Sequence, residues 1–138
     1  MKLYLSLGTN LGGREANIAR ALSLLDEALG KPEAISQIIE TEAVGFDGPA
    51  FLNCVVRYDS RRRPRTILRL CKEIERKMGR VEIPEVGPDG RRIYHDRIID
   101  IDILLYGKIR METPDLVIPH PQVESRPFVK PLLEEVFV

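Results

Sequence analysis

The most constraining feature of this sequence is the stretch Asp96–Tyr106, in which isoleucines alternate with aspartates. Side chains alternate between the two faces of a β-strand, so this pattern predicts a strand with one apolar face. That face would carry Ile99, Ile101, Ile103 and Leu105. Asp100 and Asp102 would then lie side by side on the opposite face, where two neighbouring carboxylates need a chemical explanation.

The two carboxylates admit two interpretations. Same-face neighbours on a strand lie roughly 6.5–7 Å apart at their Cα atoms, so the charges repel unless protons, cationic side chains or a metal intervene. Mg²⁺ prefers oxygen ligands and is often held by one or two carboxylates together with substrate phosphates. A carboxylate pair can also hold two ions about 3.5–4 Å apart for phosphoryl transfer. Alternatively, the acids belong to a polar outer face and pair with nearby arginines.

Length and composition exclude several classes of protein. At 138 residues, a single domain spanning 1–138 is expected. Lys and Arg together number 21, as do Asp and Glu, so no net charge attracts nucleic acid or an acidic membrane. We expect neither a membrane span nor a signal peptide, because no apolar run is long enough. Cys54 and Cys71 are expected to be buried and reduced, which favours the cytoplasm.

Apolar periodicity, with Gly and Pro as boundaries, predicts the other elements. The predicted helices run from about Arg14 to Leu29, from Pro64 to about Met78, and over Val129–Glu135. The other predicted strands are Lys2–Leu7, Ala34–Thr41 and Phe51–Asp59, with a short extended piece at Lys108–Met111. Two stretches rich in Gly, Pro and charge, Glu42–Ala50 and Arg80–Asp96, are predicted to be loops, and long loops are usually functional or mobile.

The order strand-helix-strand-strand-helix-strand predicts an α+β fold of the ferredoxin-like βαββαβ type. We expect a mainly antiparallel sheet with helices covering one face. The other face would carry Asn53, Asp100 and Asp102 and stay open for a site, bordered by the long mobile loops.

Two further motifs have competing interpretations. The turn Gly8–Gly13 places backbone N–H groups at the start of a helix, where anions bind. It lacks the Gly-Lys-Ser/Thr ending of a P-loop and the glycine spacing of the Rossmann motif, so a plain tight turn explains it equally well. The run Arg61–Arg63 with Arg65 could bind RNA. Without interleaved aromatic residues, a solvated helix entry is favoured.

Several single residues could complete a site around the acids. Arg97 immediately precedes the carboxylate pair and could clamp a phosphate or neutralise a carboxylate. His120, between two prolines, is either structural or a hydrogen-bond donor to phosphate. Phe51 and Phe128 are either core residues or the two sides of a sandwich around a flat heterocycle, whose polar edge Asn53 would recognise.

Taken together, these pieces occur in the order found in one family. They are Leu7-Gly8-Thr9-Asn10-Leu11-Gly12, Phe51-Leu52-Asn53, Glu75 with Gly79-Arg80, Arg97-Ile98-Ile99-Asp100-Ile101-Asp102-Ile103, Pro119-His120 and Arg126-Pro127-Phe128. Over essentially its whole length the chain resembles the 6-hydroxymethyl-7,8-dihydropterin pyrophosphokinase family of folate biosynthesis. The resemblance implies transfer of a pyrophosphoryl group from ATP to the pterin hydroxymethyl oxygen, with release of AMP.

The resemblance also implies a role for each matching residue. Asp100 and Asp102 would bind two Mg²⁺ ions along the ATP phosphates and, with Arg97, form the catalytic centre. The pterin would contact Val44, Phe51, Asn53 and Phe128. The nucleotide or its phosphates would contact Glu75, Arg80, Arg97, His120 and Arg126. The expected partners are ATP and the pterin, without nucleic acid or membrane, and the expected state is a cytoplasmic monomer.

The chain departs from the family pattern at three positions. Pro121 stands where an aromatic residue is frequent, Phe51 where Tyr is frequent, and Glu82 where a basic residue is expected. Two other classes of protein on the same fold compete with the enzyme. A ligand-sensing module would have no reason to place two acids beside Arg97, and in an RNA-binding domain those acids would repel phosphates.

Overall fold

The structure is a computed structural model that describes residues 1–43, 48–79 and 98–138. Its strands are β1 (Lys2–Thr9), β2 (Ala34–Ile35), β3 (Ile39–Thr41), β4 (Phe51–Asp59), β5 (Asp100–Tyr106), β6 (Met111–Glu112) and β7 (Val117–Ile118). Its helices are α1 (Arg14–Leu29), α2 (Pro64–Lys77), α3 (Gln122–Ser125) and α4 (Val129–Val136). Within these ranges, no helix combines the length and apolarity needed to cross a membrane.

The main sheet is built around β1, which pairs with β4 on one side and β5 on the other. Its strand order is β2-β4-β1-β5, with β3 also paired to β4, and every ladder between described residues is antiparallel. A separate ladder joins β6 and β7. The predicted α+β class and the mainly antiparallel sheet are therefore confirmed.

One face of the sheet packs against α1 and α2 in a first apolar cluster. The strands contribute Leu3, Leu5, Leu7, Cys54, Val56, Tyr58, Ile101 and Ile103 to it. The helices contribute Ile18, Ala21, Leu25, Ile67, Cys71 and Ile74. The spacing of three to four residues along each helix places these side chains in one buried stripe, which is why the sequence predicted both helices correctly.

The opposite face of the sheet carries a second apolar cluster, which includes the C-terminal helices. Side chains Tyr4, Val55 and Leu104 from the strands pack there with Val123, Val129, Leu132, Leu133 and Val136. Tyr4 also stacks on Phe137, with ring centroids 5.5 Å apart. The sequence predicted α4 but not its packing. The part of this face beyond the cluster carries Asn53 and Asp100.

Strand β5 departs from strict alternation at Leu104. The pairing register between β1 and β5 shifts between Tyr4 and Leu5, which leaves Leu104 as the extra residue of a β-bulge. Leu104 is buried in the second cluster and Leu105 packs against the same cluster, whereas Tyr106 returns to the first. The prediction that Leu105 shares a face with the preceding isoleucines is therefore wrong, because the bulge turns two consecutive side chains to one side.

Other predicted bounds shift in ways that hydrogen bonds explain. The stretch Ala34–Thr41 forms two short strands with Ser36 between them. At that point the Val55 N–H donates to the side-chain oxygen Ser36 Oγ (2.8 Å), and this bond interrupts the regular backbone pairing. Regular pairing continues through Gly8 to Thr9, so the predicted glycine turn begins later. Strand β5 begins at Asp100. The predicted loop Arg80–Asp96 lies outside the described residues, as do residues 44–47 of the other loop.

Truncating a side chain of α4 tests the second cluster. Leu132 is only 2% exposed, so we expect Leu132→Ala to lower the free energy of unfolding by about 2–5 kcal/mol, through lost burial and the cavity left behind. Ile38→Ala, at a side chain that is 47% exposed, should cost much less. Urea denaturation of both variants measures the difference. Equal losses would contradict a supporting role for α4.

Candidate active site

The sheet aligns a row of site residues across three strands. Gly8 of β1 pairs with Asn53 of β4 on one side and with Asp100 of β5 on the other. In the next row, Ser6 pairs in the same way with Asp102. Neighbouring strands are about 4.8 Å apart, so the backbones of Asn53 and Asp100 are roughly 10 Å apart. One end of the row presents the Asn53 amide, and the other presents the Asp100 carboxylate, with Asp102 beside it in the next row.

Gly8 keeps the middle of this row free of side-chain atoms. A Cβ added there would lie 3.1 Å from Asn53 Oδ1 and 3.7 Å from Phe51 Cδ1. The first distance is closer than ordinary van der Waals contact allows. Glycine inside a strand often marks a place where a ligand comes close to the backbone. Gly8 therefore leaves a stretch of uncovered backbone along which a flat molecule can extend from the Asn53 amide towards Asp100.

The amide of Asn53 is held in one orientation. The residue is 8% exposed, and its Nδ2 donates a hydrogen bond to Thr41 Oγ1 at 2.6 Å. In this hydrogen bond the donor end of the amide faces β3. The acceptor Oδ1 lies on the side of Gly8, where it can recognise an N–H group on the edge of a heterocycle.

The surroundings of Asp102 disfavour the ionised form of its carboxylate. Burial raises the pKa of Asp102 above the usual range for aspartate, and the negative charge of Asp100 raises it further. A hydrogen bond from Gln122 Nε2 to Asp102 Oδ2 (3.2 Å) favours the ionised form and opposes this rise. A cation placed between the acids would relieve both the burial cost and the repulsion.

His120 faces the same carboxylate, with its Nε2 3.9 Å from Asp102 Oδ1. The His120 N–H donates to the Leu104 carbonyl (2.9 Å), and the Gln122 N–H donates to His120 Nδ1 (3.1 Å). Because Nδ1 accepts, the neutral ring carries its proton on Nε2, towards the acids. Burial lowers the pKa of His120, against an opposing effect of Asp100. His120 is thus a neutral hydrogen-bond donor near neutral pH.

Glu75 supports the acid pair from behind the strand. This residue of α2 is 1% exposed, and its Oε2 accepts the Ile101 N–H at 2.8 Å. Ile101 lies between Asp100 and Asp102, so the buried carboxylate fixes the backbone to which both acids are attached. Sequence reasoning assigned Glu75 to the nucleotide, and the structure adds this backbone contact.

Three further residues of the predicted site, Phe51, Phe128 and Arg126, lie within the described ranges. Phe51 begins β4 and is half-buried, and Phe128 precedes α4 and packs against the second cluster. The Arg126 side chain is exposed, and its positive charge contributes to lowering the pKa of His120, which places it within electrostatic range of that ring. Val44, Arg80 and Arg97 lie outside the described residues.

The acid pair offers oxygen ligands of the kind that Mg²⁺ prefers. Carboxylate oxygens are hard ligands, and Mg²⁺ commonly takes one or two of them together with water and phosphate oxygens. In the described part of the chain, no three His, Cys, Asp or Glu side chains are grouped as metal ligands. A cation held here would therefore depend on phosphate or water for its remaining ligands.

Three site residues escaped the sequence analysis: Ser6, Thr41 and Gln122. Ser6 shares a row with Asp102, and alternation from Gly8 along β1 could have placed it there. Thr41 and Gln122 reach the site by hydrogen bonds between side chains distant in sequence, Thr41 to Asn53 and Gln122 to Asp102. No spacing rule indicates such contacts.

Comparison with known proteins agrees with this geometry. The chain matches the family described as 7,8-dihydro-6-hydroxymethylpterin-pyrophosphokinase (HPPK) over residues 4–137. It is 42% identical over 136 residues to a 2-amino-4-hydroxy-6-hydroxymethyldihydropteridine pyrophosphokinase from Porphyromonas gingivalis, covering 97% of this chain and 89% of the relative. Enzymes of the same name from Aquifex aeolicus and Bacillus subtilis are 40% and 36% identical, over 96% of this chain and 78% and 76% of theirs. The chain belongs to the 7,8-dihydro-6-hydroxymethylpterin-pyrophosphokinase family.

Proposed function

We propose that the row Asn53–Gly8–Asp100 binds the pterin and aligns its hydroxymethyl group with ATP held at Asp100 and Asp102. Members of this family transfer pyrophosphate to hydroxymethyldihydropterin in folate biosynthesis. In the reaction, the hydroxymethyl oxygen forms a bond to the β-phosphorus of ATP while the bond from that phosphorus to the α-phosphate oxygen breaks. AMP leaves, and the hydroxyl loses its proton.

The length of the row is the observation that carries this proposal. The roughly 10 Å between the backbones of Asn53 and Asp100 suits a fused two-ring heterocycle with a hydroxymethyl arm. Asn53 Oδ1 would accept from the N–H edge of the pterin, and Phe51 and Phe128 would stack on its faces. Val44, from the loop, is proposed as a further pterin contact. Gly8 would let the ring lie close to the backbone.

At the other end of the row, Asp100 and Asp102 would hold the cations that neutralise the phosphates of ATP. Two Mg²⁺ ions held by Asp100 and Asp102 would offset the charge of the phosphate oxygens and make the hydroxyl more acidic. His120 would donate its Nε2–H to a phosphate oxygen. Arg126, together with Arg80 and Arg97 from outside the described residues, would supply positive charge, and Glu75 would add a nucleotide contact to its backbone role. Such transfer needs alignment and charge neutralisation more than a nucleophile.

We also propose the finer details of architecture and state. The strand order β2-β4-β1-β5, with helices α1 and α2 following β1 and β4, supports a ferredoxin-like βαββαβ core. Because both apolar clusters share the same strands, we propose a single domain over 1–138. We further propose that the enzyme acts as a monomer, as the family resemblance implies. The free, buried thiols of Cys54 and Cys71 are consistent with a cytoplasmic enzyme.

Neutralising either acid tests the metal assignment. We expect Asp100→Asn and Asp102→Asn each to reduce pterin-dependent AMP formation by roughly two orders of magnitude or more, because the cations lose a charged ligand. Separation of adenine nucleotides after incubation with ATP, Mg²⁺ and the pterin measures this. Asp115→Asn, at an exposed aspartate paired with Arg65, is the control and should remain active. Near-normal activity of either site variant at saturating Mg²⁺ would refute the assignment.

Adding a side chain at Gly8 tests whether the pterin lies against the backbone there. Gly8→Ala would place a Cβ 3.1 Å from Asn53 Oδ1, so we expect the pterin dissociation constant to rise about tenfold, while nucleotide affinity changes little. Gly8→Val should weaken pterin binding further. Calorimetric titration with each ligand separately provides the comparison. A parallel loss of both affinities would indicate a general distortion of the sheet instead.

The raised pKa of Asp102 predicts a stability effect in the metal-free protein. Unfolded aspartate titrates near about 3.9. Between that pH and the raised pKa of Asp102, the folded state binds more protons than the unfolded state, so the free energy of unfolding falls as pH rises. With EDTA present, Asp102→Asn should therefore be more stable than the parent by about 1 kcal/mol at pH 8, and nearly equal at pH 4. Thermal unfolding across pH measures this, and a pH-independent difference would argue against the shift.

A further inference from the structure

We propose that Gln122 is a positioning residue for Asp102, orienting its carboxylate for the cation without neutralising it. This inference rests on the proposed function, because it assigns Asp102 to the metal. Gln122 is no part of the residue set that the family resemblance implies. It is identified here by its contacts alone.

Gln122 is a buried polar side chain whose amide ends at the acid pair. It is 5% exposed, and its Nε2 lies 3.2 Å from Asp102 Oδ2 and 3.3 Å from Ser6 Oγ. In its ionised form, the one that would bind a cation, the Asp102 carboxylate only accepts hydrogen bonds, so the NH₂ end of the amide faces it. The two contacts use both protons of that NH₂ group and leave Asp102 one preferred orientation.

The backbone of Gln122 is tied to two other predicted site residues. Its N–H donates to His120 Nδ1 (3.1 Å), and its carbonyl accepts the Arg126 N–H (3.0 Å). One residue of α3 thereby connects the carboxylate, the imidazole and the arginine segment. Truncating the side chain leaves the backbone contacts in place, so the effect on Asp102 can be tested separately.

The neutral amide suits a metal-binding carboxylate better than a cationic donor would. A lysine or arginine at this position would hold Asp102 equally well but would cancel the negative charge that attracts a cation. Gln122 engages Oδ2 and leaves Oδ1, the oxygen facing His120, available. Groups that orient metal ligands in this way typically change metal affinity by 10–100-fold when removed.

The test compares Gln122→Met with Gln37→Met. Methionine keeps the length of the side chain and removes the donor. Gln37 is a matched control, because its Nε2 also donates to a carboxylate, Glu135 Oε2 (2.9 Å), on the exposed surface. The measurement is the Mg²⁺ concentration that supports half-maximal binding of α,β-methylene-ATP. In this analogue a methylene group replaces the oxygen between the α- and β-phosphorus, so the bond that breaks in the reaction is absent. Pterin affinity without nucleotide is measured in parallel.

We expect Gln122→Met to raise the required Mg²⁺ concentration about tenfold or more, with pterin affinity within about twofold of the parent and with Gln37→Met unchanged. The ¹⁵Nδ1 signal of His120 should also be unchanged, because the backbone N–H of residue 122, which donates to Nδ1, remains. If Gln122→Met does not fold, Ser6→Ala, which removes the other partner of the amide, should shift the Mg²⁺ requirement in the same direction.

Two outcomes would overturn the inference. An unchanged Mg²⁺ requirement would mean that Gln122 does not position Asp102, and a parallel loss of pterin affinity would mean that its role is structural. Asp102→Asn distinguishes failure of this inference from failure of the proposed function. If that variant keeps the normal Mg²⁺ requirement, the metal assignment itself is wrong, and the role of Gln122 is rejected with it.

Discussion

The pairing of β1 between β4 and β5 is the constraint on which the rest of this structure depends. Because both ladders are antiparallel and in register at Gly8, residues from chain segments almost fifty positions apart lie in one row. The apolar residues of β1 anchor this arrangement from below, where α1 and α2 cover the sheet. The spacing of substrate-binding groups is therefore set by strand separation, which is nearly invariant among proteins.

The acid pair shows how the site opposes the stability of the fold. Two carboxylates on neighbouring rows, one of them with its pKa raised by burial, cost free energy when no cation is present. The second apolar cluster, beside them on the same face, supplies stabilisation that offsets this cost. Family membership excludes the ligand-sensing and RNA-binding alternatives as descriptions of this chain. The electrostatics agree, because two neighbouring carboxylates attract cations and repel phosphates.

Much of this arrangement could be predicted from local pattern. Helices α1 and α2 follow from their apolar spacing and from Gly30 and Pro64 at their ends, and Asp100 and Asp102 follow from alternation. The bulge at Leu104 could not be predicted in this way. It depends on the register between β1 and β5 and on the packing of Leu104 and Leu105 against the second cluster, which are both tertiary contacts. The contact of Gln122 with Asp102 was equally hidden, since it arises from the position of α3 relative to β5.

The bulge has a consequence for the site as well as for the core. Leu104, the extra residue of β5, is also the residue whose carbonyl accepts the N–H of His120. A chain that lost this irregularity would exchange the sides of Leu105 and Tyr106 and would also carry its imidazole to a different height above the acids. The same inserted residue thus sets two alignments, one between strand and core and one between histidine and carboxylate. Removing the inserted residue would therefore change both alignments at once.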